Sequence, residues 1–224
     1  LLAQIEGIDW SLLDVLKTHE TVNARGTFAP LSAMELSQID ANRAHLEEVG
    51  LQAIREGKVA AVLLAGGQGT RLGFDKPKGM YNIGVTRELY IFECLINNVM
   101  EIVKKAGAWI PFYIMTSDKN YDDTTAFLKE KNYFGYNAKY IHFFKQEMAP
   151  SVDYNGKLLM EAPDHLSLSP NGNGGWFSSL CRYGYDKQMK EAGVEWLTAF
   201  AVDNVLQRIN DPAFVGAVID SGCD

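Results

Sequence analysis

Ten consecutive residues, Leu64-Ala65-Gly66-Gly67-Gln68-Gly69-Thr70-Arg71-Leu72-Gly73, followed shortly by Lys76-Pro77-Lys78-Gly79, gather the chemistry-bearing positions of this sequence. Glycines at 66, 67 and 69 let backbone N–H groups face an anion with no Cβ in the way. Arg71 and Lys78 add two cations that can straddle a chain of phosphates. Types and spacing together read as a loop for a nucleoside triphosphate. The spacing Gly67-x-Gly69-x-x-x-Gly73 is not the dinucleotide fingerprint, and no Gly-Lys-Ser/Thr closes the loop as a Walker A motif would. The histidines, His19, His45, His142 and His165, are scattered along the chain and none is assigned a catalytic part.

Such a loop needs a strand to aim it. Val59 to Leu64 is a continuous apolar run bounded by glycines, the form of a central parallel strand buried on both faces. Pro111 to Thr116, Lys139 to Phe144 and Trp196 to Val202 read as further strands. Between them, Leu89 to Val103 marks one face of a helix that Gly107 ends, Tyr121 to Lys131 a second helix with Ser117 as its N-cap, and Trp176 to Ala192 a third. Ala149 to Gly175, rich in Pro, Gly, Asn and Ser, is expected to carry little regular structure beyond a short ribbon at Lys157 to Met160. The first 57 residues read as helical cover: a short amphipathic stretch from Ile8 to Leu16, a break at Gly26 to Pro30, and a longer helix capped by Ser32 along Met34, Ile39, Leu46, Val49 and Ile54. Strands alternating with helices predict an α/β fold, a mostly parallel sheet with helices on both faces, preceded by a helical N-terminal segment. Ligands of such sheets sit beyond the carboxyl ends of the strands, where Gly66, Thr116, Gln146 and Asp203 all fall. The expected division is 1–57, N-terminal helical segment, and 58–224, nucleotide-binding domain.

Composition narrows the partners. The 224 residues hold 21 Lys+Arg against 28 Asp+Glu, a formal charge of −7, which argues against a general grip on nucleic acid or anionic lipid. Cys94, Cys181 and Cys223 show no Cys-x-x-Cys spacing and fit free thiols in a reducing compartment. The longest apolar runs are about seven residues, far below the roughly twenty that span a bilayer. A soluble, cytoplasmic protein is expected, and no feature of the sequence fixes an oligomeric state.

Leu-x-Gly-Gly-x-Gly-Thr-Arg-Leu-Gly, with Pro77-Lys78-Gly79-Met80-Tyr81 downstream, resembles the signature of the eukaryotic-type UDP-sugar pyrophosphorylases. Ile114-Met115-Thr116-Ser117, Phe143-Phe144-Lys145-Gln146, Pro170-Asn171-Gly172-Asn173-Gly174-Gly175 and Val202-Asp203-Asn204 follow in the family's order. UDP-glucose pyrophosphorylases tend to carry Gly-Thr-Thr-Met-Gly in the loop and Gly-His-Gly-Asp in the later segment, so the N-acetylhexosamine branch is the closer resemblance. Lys145 stands where that family usually has glutamine, and Asn171 where aspartate is common.

The resemblance implies a Rossmann-like (GT-A-like) nucleotidyltransferase domain and a uridylyltransferase reaction. UTP and a sugar 1-phosphate, foremost N-acetylglucosamine 1-phosphate, give UDP-sugar and pyrophosphate, with Mg²⁺. By motif position, Leu64, Ala65, Gly66 and Gly67 would hold the nucleotide through main-chain groups. Lys78 would bind phosphate, Arg71 would face the departing pyrophosphate, and Gln146 would read the uracil edge. Gly172 would let the base lie against backbone, Asn173 would reach the sugar, and Asp203 would serve metal and phosphates. The alternatives are a UDP-glucose or broad-specificity enzyme, or a non-catalytic UTP- or UDP-sugar-binding regulatory module. The resemblance also places further sugar-binding and phosphate-binding residues and a C-terminal domain beyond Asp224. The expectation is therefore the nucleotide-binding part of a longer enzyme, weak in UTP binding and turnover by itself.

Overall fold

The computed structural model describes residues 1–8, 10, 33–170 and 172–222. The expected helix from Ile8 to Leu16, the break at Gly26 to Pro30, the Ser32 cap, His19, Asn171 and Cys223 lie wholly or mostly outside the described residues. The chain forms two compact units. The smaller comprises Leu1–Ala33 and Glu147–Gly172, the larger Met34–Gln146 and Asn173–Asp224.

The larger unit is built on four parallel strands, β1 (Val59–Leu64), β2 (Phe112–Thr116), β3 (Ile141–Lys145) and, last in the chain, a strand Trp196–Ala201 that pairs with the free side of β1. In spatial order they run β3, β2, β1, then the Trp196–Ala201 strand. Leu64 lies level with Met115 on one side and Ala201 on the other, so the glycine loop leaves the sheet at the same height as its neighbours' carboxyl ends.

Alternation along a strand sends successive side chains to opposite faces. Val59, Ala61 and Leu63 of β1, with Phe112 and Ile114 of β2, join one hydrophobic cluster. Ala60 and Val62, with Tyr113 and Met115, join another. The helices that cover the first face include α1 (Leu36–Arg55), α2 (Ile91–Ala106) and Pro212–Ser221 near the C-terminus. From them come Leu51, Ile54, Phe92, Leu95, Ile96, Val99 and Val215. The second face is covered by Leu180 and Met189 from two short helices, Trp176–Arg182 and Tyr185–Glu191. The parallel α/β architecture with both faces covered is thus present.

Several local expectations change. Trp176 to Ala192 is two helices, because Gly184 adopts the left-handed conformation (φ 73°) and its N–H turns back to the Cys181 carbonyl at 2.8 Å. The helix Tyr121–Glu130 (α3) is preceded by Asn120, not by Ser117, as its N-cap. Gly107 does end α2, in the left-handed conformation, with its N–H on the Val103 carbonyl at 2.9 Å. The structure adds a helix, Pro212–Ser221, beyond the elements expected from the sequence. Its start carries a legible signal, since the Asp211 carboxylate accepts the N–H groups of Ala213 (2.9 Å) and Phe214 (3.2 Å) and Pro212 opens the first turn. This helix crosses α1 at glycine against glycine: a Cβ on Gly216 would stand 1.8 Å from the Leu46 carbonyl oxygen, and one on Gly50 would stand 2.0 Å from that of Pro212.

The smaller unit corrects the reading of Ala149 to Gly175 as nearly structureless. Met148–Pro150 pairs antiparallel with Leu168–Pro170, and Met160–Ala162 with His165–Leu166, joined by an isolated bridge from Val152 to Leu158. The polar and glycine residues serve the turns between these strands. Asp153 accepts the N–H groups of Asn155 (2.8 Å) and Lys157 (2.9 Å), with Gly156 left-handed at φ 79°.

Candidate functional site

The sheet order makes β1 the strand from which the chain departs in both directions, with β2 and β3 on one side and Trp196–Ala201 on the other. Open parallel sheets bind ligands at the carboxyl end of such a switch point. Leu64 ends β1, half-buried. Ala65 is buried with its N–H on the Met115 carbonyl at 2.9 Å. The chain then emerges through Gly66 into exposed Gly67. Among the described residues no acceptor faces the backbone N–H groups of Gly66, Gly67 or Gln68. Three adjacent unpaired amides at a strand end form the kind of concave donor surface that takes an anion.

Two pairs of expected residues meet. Gln146, which follows β3, is buried and held by its own N–H on the Thr116 carbonyl at 2.7 Å. Its side-chain amide lies directly against Gly66, where a Cβ would stand 2.6 Å from Nε2, 2.8 Å from Cδ and 2.9 Å from Oε1. The amide can occupy that place only because residue 66 has no side chain. Lys78 opens a single 3₁₀ turn, Lys78–Met80, and its Nζ is 2.5 Å from Asp203 Oδ1, two residues beyond the end of the Trp196–Ala201 strand. The lysine is about one-fifth exposed and the aspartate about three-fifths.

Arg71 sits in the exposed 3₁₀ turn Thr70–Leu72 and has no hydrogen-bond or ion-pair partner among the described residues. Lys76 and Lys145, by contrast, are partnered. Lys76 Nζ is 3.0 Å from Asp123 Oδ1, and Lys145 Nζ is 3.1 Å from Asp118 Oδ1 and 4.9 Å from the centre of the Tyr121 ring. The hydrogen bond to Asp118 raises the Lys145 pKa above its ordinary value and keeps it cationic beside Gln146. Asn173 opens a 3₁₀ turn, Asn173–Gly175, and is exposed. Gly172 belongs to the smaller unit and is left-handed at φ 79°. Trp176 packs partly buried on the second hydrophobic cluster, whereas Phe177 is half-exposed.

The residue that sequence reasoning passed over is Asn120. It is wholly buried, its Nδ2 donates to the Ala65 carbonyl at 3.0 Å and to the Gly67 carbonyl at 3.4 Å, and its Oδ1 accepts the Ser117 N–H at 2.7 Å. A lone asparagine ahead of a helix reads as a cap, and only the fold brings it under the glycine loop.

Among the described residues no group of three or more His, Cys, Asp or Glu side chains stands ready to hold a metal. Asp203 supplies one exposed carboxylate next to Lys78. That fits a Mg²⁺ shared with a nucleotide, whose phosphate oxygens and waters would fill the remaining positions.

The fold and this edge define a parallel α/β domain with a glycine-rich loop at the carboxyl end of its switch-point strand. The family model for UTP–glucose-1-phosphate uridylyltransferase matches residues 7–224, and the chain belongs to that family. It is 41% identical over 178 residues to the UDP-N-acetylglucosamine pyrophosphorylase of Saccharomyces cerevisiae, covering 78% of this chain and 37% of the yeast protein. It is 38% identical over 184 residues to UDP-N-acetylglucosamine diphosphorylase 2 of Arabidopsis thaliana, covering 77% and 37%. The crystal structure of the uridine diphosphate N-acetylglucosamine pyrophosphorylase of Trypanosoma brucei in complex with an inhibitor superposes with a TM-score of 0.83 at 28% identity, over 97% of this chain and 47% of that one. The chain thus spans between about a third and a half of the length of these relatives. The resemblance to the N-acetylglucosamine branch is borne out by these relatives. Among the described residues no helix is long and apolar enough to cross a membrane.

Proposed function

We propose that this chain forms the nucleotide-binding part of a uridylyltransferase that joins UTP to a sugar 1-phosphate, foremost N-acetylglucosamine 1-phosphate, releasing pyrophosphate. The observation that carries the reading is the meeting, at one sheet edge, of three unpaired loop amides, the Gln146 amide on Gly66 and the Lys78–Asp203 pair. The yeast and Arabidopsis relatives, named for UDP-N-acetylglucosamine, support the choice of sugar.

The chemistry asks little of the side chains beyond position and charge. An oxygen of the sugar 1-phosphate attacks the α-phosphorus of UTP in line, the bond from that phosphorus to the bridging oxygen breaks, and pyrophosphate leaves with the electron pair. The attacking phosphate is already anionic at neutral pH, so no general base is needed. The protein must bring two polyanions together and hold the charge that accumulates. The Gly66–Gln68 amides serve the phosphates, Gln146 the uracil edge, Arg71 the departing pyrophosphate and Asn173 the sugar. Lys78 exchanges its Asp203 partner for a phosphate oxygen, and Asp203 is the carboxylate that would hold Mg²⁺. When bound, that ion neutralises the phosphate oxygens of the reacting nucleotide. The half-buried free thiols Cys94 and Cys181 fit a reducing, cytoplasmic setting.

A panel of sugar 1-phosphates incubated with UTP and Mg²⁺, read by pyrophosphate release, tests the reading. Reaction with N-acetylglucosamine 1-phosphate is expected. Reaction with glucose 1-phosphate alone would move the chain to the UDP-glucose activity, and UTP binding without pyrophosphate release would make it a regulatory module.

A further inference from the structure

The buried Asn120 side chain is tied to a loop it does not belong to. An asparagine before a helix ordinarily spends its side chain on the N–H groups of the first turn, yet Asn120 makes no side-chain cap bond to α3. Its carboxamide is divided between two other segments. The oxygen takes the Ser117 N–H at the end of β2, and the nitrogen spans the carbonyls of Ala65 and Gly67, which follow the neighbouring strand β1. Its backbone N–H also returns to the Ser117 carbonyl at 3.2 Å, so the turn carrying the amide is fixed at both ends.

The consequence follows from peptide geometry. In a planar trans peptide the C=O of one residue and the N–H of the next point in opposite directions. Holding the Ala65 carbonyl inward therefore turns the Gly66 N–H outward, and holding the Gly67 carbonyl inward turns the Gln68 N–H outward. The Gly67 carbonyl also receives the Lys78 N–H at 3.3 Å, which pins the same peptide from the far side of the loop. The outward N–H groups are among those left without an acceptor. Glycine peptides would otherwise flip at small cost.

We propose that Asn120 is a positioning residue that presets the glycine loop, aiming the Gly66 and Gln68 amides at the phosphates of the nucleotide. It never touches the ligand. The assignment rests on the nucleotide-site reading above but not on the sugar or on turnover. Deleting the amide frees the Ala65–Gly66 peptide and leaves the Gly67–Gln68 peptide held by the Lys78 N–H alone, so the cost falls on phosphate binding and not on the base.

The test uses inorganic triphosphate as probe and the backbone amide resonances of Gly66 and Gln68 as readout. In the wild-type chain both resonances should shift and saturate. Asn120→Ser, which keeps a short polar group but cannot reach both carbonyls, should stay folded and lose about tenfold or more in triphosphate affinity, while uridine affinity stays within about twofold. Asn120→Asp serves as the second variant. It retains shape and the acceptor for Ser117 but sets a carboxylate against two carbonyls, and it should lose at least as much. Wild-type triphosphate affinity in either folded variant would overturn the proposal, as would wild-type amides that ignore triphosphate. A loss that falls equally on uridine would reduce Asn120 to a structural residue. If the wild type binds triphosphate but releases no pyrophosphate from UTP with any sugar 1-phosphate, the proposed reaction fails while the Asn120 assignment stands.

Discussion

Gly66→Ala isolates the contact on which nucleotide recognition is argued to depend. The new methyl carbon would lie 2.6 Å from the Gln146 amide nitrogen and 2.9 Å from its oxygen, where ordinary contacts begin near 3.4 Å. One partner must therefore retreat by about 0.8 Å. The backbone of Gln146 is anchored to Thr116 at 2.7 Å, and Gly66 directly follows Ala65, whose N–H is anchored to Met115 at 2.9 Å. The flexible end of the Gln146 side chain is what moves. Overpacking a rigid core costs about 1–3 kcal/mol, and yielding of a side-chain terminus puts this case at the low end. The melting temperature should fall by no more than about 4 °C.

Recognition suffers more than stability. An amide displaced by that distance loses its hydrogen bonds to a base edge, worth together about 2 kcal/mol, or about thirtyfold in UTP affinity. The assay is titration calorimetry with UTP and with inorganic triphosphate. Affinity for UTP should fall by that factor, and affinity for triphosphate should change far less. Gly67→Ala is the control, since nothing lies within 4 Å of the Cβ it would add. It should melt like the wild type, and any binding loss there would come from the ligand itself. UTP affinity unchanged in Gly66→Ala would refute the placement of Gln146 as the base reader.

Three further outcomes follow from the same geometry. Lys78→Ala should keep the fold, because an ion pair with the largely exposed Asp203 contributes at most about 1 kcal/mol, yet lose about 2–4 kcal/mol of transition-state stabilisation. Steady-state kinetics that match the wild type would remove Lys78 from the reaction. Gly216→Ala sets a methyl 1.8 Å from a backbone oxygen of α1 that cannot rotate away, so it should cost at least about 3 kcal/mol and lower the melting temperature by about 6–12 °C; a melt within about 2 °C of wild type would show that the two helices part freely. His142 is stacked on Tyr113 at 4.8 Å and against Tyr185 at 5.4 Å, and burial holds its imidazole below the ordinary 6.5. Burial also pushes the Tyr113 hydroxyl up to about 12, so neither it nor Tyr185, likewise raised, titrates near neutrality. Since the unfolded chain takes up the proton first, stability should fall as pH drops below about 6.5 and level off beneath the depressed folded value. His142→Phe should reduce that slope between about pH 7.5 and about 5.5 in thermal melts, and an unchanged slope would assign it to other groups.

What could be read from the sequence was whatever a single segment specifies by itself. Val59 to Leu64 is apolar at every position, which only a doubly covered strand satisfies, and Gly66-Gly67-x-Gly69 announces a loop meant for backbone contact. The pairings across the chain were not local. Met148–Pro150 finds its partner some twenty residues on, so the Pro- and Gly-rich interval between them reads as loop until the strands meet. The helix Pro212–Ser221 shows its cap in Asp211-Pro212, but its need for Gly216 becomes visible only when Gly50 of α1 lies across it.

Asn120 makes the point most sharply. By type and position it is a helix cap, and the local pattern would have been satisfied had its side chain turned toward α3. The fold instead places β2 beside β1, which sets the buried amide within reach of two loop carbonyls. Once those carbonyls are held, the direction of the following N–H groups is no longer a choice made by the glycines. A glycine loop of this kind is thus specified in two places: glycine makes the required backbone path accessible, and a side chain from the neighbouring strand end selects it. Only the first of these leaves a recognisable motif, because an asparagine some fifty residues away carries no mark of the peptide it will hold.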